Sequence, residues 1–135
     1  MSSDLIYETV TEGIRVRVHP EYQPEQSSPE EGYYFWSYTI EIANEGQIAV
    51  QLKTRFWRIT DSNGRTEEVR GVGVVGQTPI IEPGQSFTYT SGCPLSTPSG
   101  IMVGTYHMTK EGTNKFDVAI PPFSLDSPFT IKSVN

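Results

Sequence analysis

The sequence predicts an all-β protein of the immunoglobulin or fibronectin type III-like antiparallel sandwich class, and three observations carry that expectation. Apolar residues recur with a period of two, most plainly where Tyr34, Trp36, Tyr38, Ile40 and Ile42 share one parity while Ser37, Thr39 and Glu41 hold the other. Turn-forming residues separate such segments, with 12 glycines and 10 prolines spread over 135 residues. No segment sustains a 3.6-residue period without a glycine or proline inside it, so almost no helix is expected. About seven short strands at these spacings fit a sandwich, with a small closed barrel as the structural alternative.

Taken in order, Ile14, Val16 and Val18 alternate with Arg15, Arg17 and His19 as a half-buried strand expected to end at Pro20. The polar stretch from Glu21 to Gly32 reads as a surface loop. The long strand from Tyr33 closes at Asn44-Glu45-Gly46. The next begins at Val50-Gln51-Leu52 and runs through Arg55-Phe56-Trp57-Arg58-Ile59. Its apolar parity shifts between Leu52 and Trp57, which predicts a bulge or a change of sheet, because a one-residue slip otherwise exposes the whole apolar set. Asp61-Ser62-Asn63-Gly64 is a hairpin turn. Thr66 to Arg70 returns as a strand, Glu82-Pro83-Gly84-Gln85 is a turn, and Phe87 and Tyr89 mark a short strand. Ser91 to Gly100 reads as loop. Met102, Tyr106 and Met108 mark a strand interrupted by Gly104, and Phe116, Val118 and Ile120 mark the last, ended by Pro121-Pro122.

One domain spanning residues 1–135 is expected, since a chain of this length buries a core without staples. The single cysteine, Cys93, forms no intramolecular disulfide, and no basic leader or long apolar run is seen. A cytoplasmic location is the corresponding expectation. The formal net charge of −6 opposes nucleic acid binding, which draws on clustered Lys and Arg.

The segment Arg70-Gly71-Val72-Gly73-Val74-Val75-Gly76-Gln77 contains a GxGxxG run. A dinucleotide site needs a helix leaving the glycines, so that amide donors and the helix dipole meet the pyrophosphate. Here Pro79 and Pro83 follow, and a proline in a helix interior costs about 3 kcal/mol. Two readings remain. One is a kinked or bulged strand, or Trp36 or Trp57 packed on bare backbone. The other is a backbone amide nest for an anion at Gly71, Gly73 and Gly76, helped by Arg70 and Arg55. Elsewhere, His19, His107 and Cys93 show no metal-ligand spacing, and Ser91-Gly92-Cys93-Pro94 matches no nucleophile elbow. Glu30, Glu31, Glu67 and Glu68 read as solvated charge. No catalytic residue, metal site or cofactor is expected.

The assembled pattern resembles the bacterial ApaG family. The residues that carry it are Val50-Gln51-Leu52, Arg55-Phe56-Trp57-Arg58-Ile59, Asn63-Gly64-Arg65, Val69 to Gly76, Pro83-Gly84, Tyr89-Thr90-Ser91-Gly92, Thr97 to Gly104, Tyr106, Met108 and Ile120-Pro121 with Phe123 and Leu125. The correspondence runs over residues 13–126. It implies a fibronectin type III-like sandwich, a domain found alone in bacteria and attached to eukaryotic F-box proteins, and an association with cobalt and magnesium efflux or resistance. A non-enzymatic binding or adaptor domain with a protein partner, with a homodimer possible, is therefore expected. The alternative is a sensor of an anion or nucleotide polyphosphate, such as pyrophosphate or diadenosine tetraphosphate, acting through the glycine run.

Overall fold

The computed structural model describes residues 6–130. Nine strands follow one another: β1 (Tyr7–Thr11), β2 (Ile14–Tyr22), β3 (Tyr34–Asn44), β4 (Val50–Asp61), β5 (Thr66–Val72), β6 (Ile80–Ile81), β7 (Ser86–Leu95), β8 (Gly100–Lys110) and β9 (Asn114–Leu125). They form two antiparallel sheets, ordered β1-β2-β3-β7 and β5-β4-β8-β9, with β6 also pairing with β4. The described residues contain no α-helix, only single 3₁₀ turns at Pro24–Gln26 and Pro29–Glu31. The antiparallel β-sandwich expected from the sequence is therefore the fold.

The period-two pattern places the core. Along β3, Trp36, Tyr38, Ile40 and Ile42 are buried between the sheets while their neighbours are half-exposed. Ile14, Val16 and Val18 of β2 join them from one sheet, and Leu52, Trp57, Met102, Tyr106, Met108, Val118, Ile120 and Phe123 from the other. Trp57 stands edge-on to both Tyr38 and Phe123, at 5.6 and 5.8 Å between ring centroids, so the aromatic rings interlock the layers.

The parity shift in β4 is a bulge. Its register against β8 passes from Leu52↔Met108 to Thr54↔His107, leaving Lys53 over. The hairpin after β4 also forms, with Asp61 Oδ1 accepting the amides of Asn63 and Arg65 at 2.9 and 3.0 Å.

Three expectations about strand ends are corrected. β2 continues through Pro20 to Tyr22, paired with β3 throughout, and Pro20 is accommodated because β1 registers with β2 only from Ile14 to Val18, which leaves the other edge at Pro20 without a registered strand among the described residues. β7 extends through Gly92 and Pro94 to Leu95, paired with β3 as far as Tyr34; it is an edge strand, where proline is tolerated, and the Phe35 ring covers the bare Gly92. β9 passes through Pro121-Pro122 to Leu125, and the register shift between Met102 and Gly104 of β8 absorbs the prolines. β1 and the two-residue β6 were not foreseen.

The sandwich is closed on one side and open on the other. On the closed side β9 packs against β1 and β2, with Tyr7 and Phe123 rings 6.1 Å apart and the Ala119 amide donating to Thr11 Oγ1. On the open side, β7 of one sheet and β5 of the other are edges, and the glycine run continues from the end of β5.

Candidate functional site

The glycine run ends β5 and doubles back. Val74 and Gln77 exchange both backbone hydrogen bonds, at 2.8 Å each, so Val75 and Gly76 form a two-residue reverse turn. Their φ angles of 43° and 79° are both positive, as a type I′ turn requires. Gly76 meets that requirement freely; Val75, being β-branched, is strained there. Gly73, at φ 63°, donates its amide to the carbonyl of the bulged Lys53 at 2.9 Å, and Val74 turns into the core. A Cβ on Gly73 would lie 2.1 Å from the Gln77 carbonyl oxygen, so only glycine fits.

Across the β4–β5 ladder, Arg55 is registered with Gly71. A Cβ on Gly71 would lie 2.6 to 2.7 Å from Nη1, the central carbon and Nη2 of Arg55, so the guanidinium lies flat against the bare backbone. Nη1 donates to the carbonyls of Gly73 at 2.7 Å and Val72 at 3.2 Å. The tryptophan imagined against this run lies elsewhere: Trp57 covers Gly104 of β8, where a Cβ would be 2.6 Å from its ring.

Arg55, Gly71 and Gly73 are thus brought together, and Gly76 sits at the lip of the same recess. Arg70 is on the opposite face of β5, since neighbouring residues in a strand point to opposite sides. Its guanidinium lies 4.6 Å above the Phe56 ring and 3.8 Å from Glu68 Oε1, with its side chain 72% exposed. The amides of Gly73, Val74 and Gln77 are all used inside the protein, and it is carbonyl oxygens, not amides, that face the guanidinium.

Behind the hairpin is a cavity of about 280 Å³. It is lined by Arg55 and Trp57 of β4, by Tyr38, Tyr89 and Ser91 of the facing sheet, and by Val72, Val74, Val75 and Gly76 of the glycine run. Tyr89 and Tyr106 share a 2.5 Å hydrogen bond between the sheets, and Ser91 is registered with Tyr38 across the β3–β7 ladder. Burial pushes all three phenols above their ordinary pKa, and the Arg55 charge acts in the opposite direction on each. Burial also pushes the Cys93 thiol up to about 12. The sequence showed the glycines and Arg55; it did not show Tyr38, Tyr89 and Ser91, which come from the facing sheet. Their signal was available: each lies on the inward parity of its strand, where a hydroxyl needs a partner.

Outside this region, His107 Nδ1 lies 2.7 Å from Asp117 on the exposed face of β8 and β9. Among the described residues, no group of three or more His, Cys, Asp and Glu is placed to hold a metal, and no helix is long and apolar enough to cross a membrane.

Fold and recess together define a small β-sandwich domain with a cationic, hydroxyl-lined cavity at its open edge. The chain belongs to the ApaG family: the model of the ApaG domain matches residues 24–110. It is 52% identical over 130 residues to Protein ApaG of Beijerinckia indica, covering 96% of this chain and all of the relative. With Protein ApaG of Brucella anthropi the identity is 55% over the same shares. Among solved structures, the ApaA protein of Bordetella pertussis superimposes with a TM-score of 0.83 at 50% identity, covering 87% of this chain and 95% of that one.

Proposed function

We propose that the protein is a non-enzymatic binding domain that docks a protein partner in the cytoplasm through the Val74–Gln77 hairpin, any part in cobalt or magnesium homeostasis being exerted through that partner. The observation that carries this reading is Val75. A β-branched residue at φ 43° costs about 1–2 kcal/mol, and Val75 is 52% exposed, so the chain gains little core from it. On either side of the hairpin, along the edge of β4, Val72 is 74% exposed and Ile80 61%. Strain and exposed apolar surface held together in one turn are the marks of a contact surface. A photo-crosslinking residue at position 75 should trap one partner in a lysate of the native host, while the same residue at Ile101, on the exposed face of β8, should not. Equal yields at the two positions would overturn the reading, and a self-adduct would make the partner a second copy.

A second reading, that of an anion or nucleotide-polyphosphate sensor, is favoured by Arg55. No carboxylate of the described residues lies within salt-bridge distance of it, whereas the other half-buried cations have one: Arg15 pairs with Glu8 and Glu45, and Lys110 with Glu12. Titration with inorganic pyrophosphate and diadenosine tetraphosphate, read at the amides of Gly71 to Gly76, tests it; unmoved resonances would end it for those ligands.

A further inference from the structure

We infer that the Arg55 cavity is a receptor for a small monocarboxylate, with the acid group on the guanidinium and an apolar body against Val75 at the tip of the hairpin. The inference rests on the second reading above, that this recess takes an anion, and names which anion.

Four observations set the ligand class. The first is the state of the guanidinium. Nη1 is committed to the Val72 and Gly73 carbonyls, while Nε and Nη2 make no hydrogen bond to the described residues. That leaves a two-donor edge of the kind that matches the two oxygens of a carboxylate. Gly71 and the two carbonyls hold the guanidinium flat, so the fork is preorganised and a ligand loses little by engaging it.

The second is charge. Among the described residues Arg55 is the only cation lining the cavity, and the chain as a whole carries a formal charge of −6. A monoanion neutralises one guanidinium. A pyrophosphate would carry uncompensated negative charge into a half-buried site, where the desolvation of the unpaired charge opposes binding.

The third is the remaining polar lining. Tyr38, Ser91 and Tyr89 bring hydroxyls from the facing sheet, neutral donors suited to the outer lone pairs of a carboxylate that Arg55 has oriented. Burial keeps the two phenols protonated, so they remain donors across the ordinary pH range.

The fourth is size. A volume of about 280 Å³ lies just below the roughly 300–1,000 Å³ of small-molecule pockets. It admits a single-ring acid and leaves most of a dinucleoside polyphosphate outside. Val75, 52% exposed at the tip of the hairpin, is the apolar group such a ring meets, with Trp57 and Val74 almost fully buried behind it.

The same group can arrive as a free metabolite or as the C-terminal carboxylate of a peptide with an aromatic last residue. The test uses the full chain and four probes: benzoate, N-acetylphenylalanine, N-acetylphenylalanine amide and inorganic pyrophosphate, each titrated by calorimetry and by amide and indole resonances. Both acids should move Val75, Gly76 and the Trp57 indole, and the neutral amide should bind at least about tenfold more weakly than its acid, the loss of one charge-assisted contact. The tighter of the two acids identifies the source. Binding of the amide equal to that of the acid, or no binding of either acid, overturns the inference. Pyrophosphate binding alone would preserve the anion reading while removing this one; binding of none of the four removes both.

Because Arg55 also supports the glycine carbonyls, Arg55→Gln is paired with Ser91→Ala and Tyr38→Phe, which leave that support in place. Arg55→Gln should abolish binding of N-acetylphenylalanine and the other two should weaken it severalfold. Unchanged affinity in all three variants would place the acid elsewhere and end the proposal.

Discussion

The guanidinium of Arg55 lies flat on Gly71, the residue opposite it in the neighbouring strand, at a separation that leaves no room for even a methyl group. The glycine of β5 is thus complementary to an arginine of β4. Gly71→Ala should push the guanidinium away and break its hydrogen bonds to Val72 and Gly73, with a loss of about 1–3 kcal/mol. Urea unfolding of the single variants and of the double variant with Arg55→Ala checks this. The two losses should be strongly non-additive, since both remove one contact; simple additivity would show that the pair is not coupled.

The other two glycines of the run differ in what they tolerate. Gly73→Ala drives a methyl into the Gln77 carbonyl and should cost about 3–4 kcal/mol, whereas Gly76→Ala meets open space and should cost only the backbone term of about 1 kcal/mol. Denaturant midpoints give the order directly, and the reverse order would contradict the turn geometry.

Val75→Asn exchanges a residue strained at positive φ for one that accepts it. The variant should be more stable by about 1 kcal/mol and should bind the partner less well, since the exposed apolar tip is gone. A gain in melting temperature with undiminished crosslinking from a neighbouring position would show that the strain serves nothing outside the chain.

The buried phenols and the thiol set the alkaline limit. Tyr38, Tyr89, Tyr106 and Cys93 all have folded pKa values above their unfolded ones, so the fold favours their neutral forms. Their contribution is complete below the unfolded values, about 8.5 for the thiol and 10 for the phenols. Above them the unfolded chain releases protons that the folded chain keeps, and stability falls as pH rises. The urea midpoint should therefore be flat through neutrality and drop from about pH 9 upward, less steeply in Tyr89→Phe. In the same samples Cys93 should resist alkylation by iodoacetamide near neutral pH until denaturant is added, its pKa being pushed up to about 12 by burial.

Much of this architecture was legible in the residues because it follows from local rules. β3 alternates without interruption, and the parity slip in β4 announced the bulge at Lys53. Where the reading stopped short, a neighbouring strand supplied what the segment itself lacked. Gly92 and Pro94 weaken β7 as an isolated strand, yet pairing with β3 and the Phe35 ring carry it to Leu95. The cavity was legible only in halves. The glycines and Arg55 stand out on one sheet, but which strand faces them, and so which hydroxyls they meet, is decided by tertiary packing. Arg70, adjacent in sequence to the glycines, is carried to the other face by the same alternation that identified the strands.

The Tyr7–Phe123 contact on the closed side has a consequence for how the domain can be joined to others. The first and last strands of the fold lie side by side, so chain entering at β1 and leaving after β9 does so at one seam. A host polypeptide could accept the sandwich as an insert with short connectors. The open edge, with Arg55 and the hairpin, would then point away from the host.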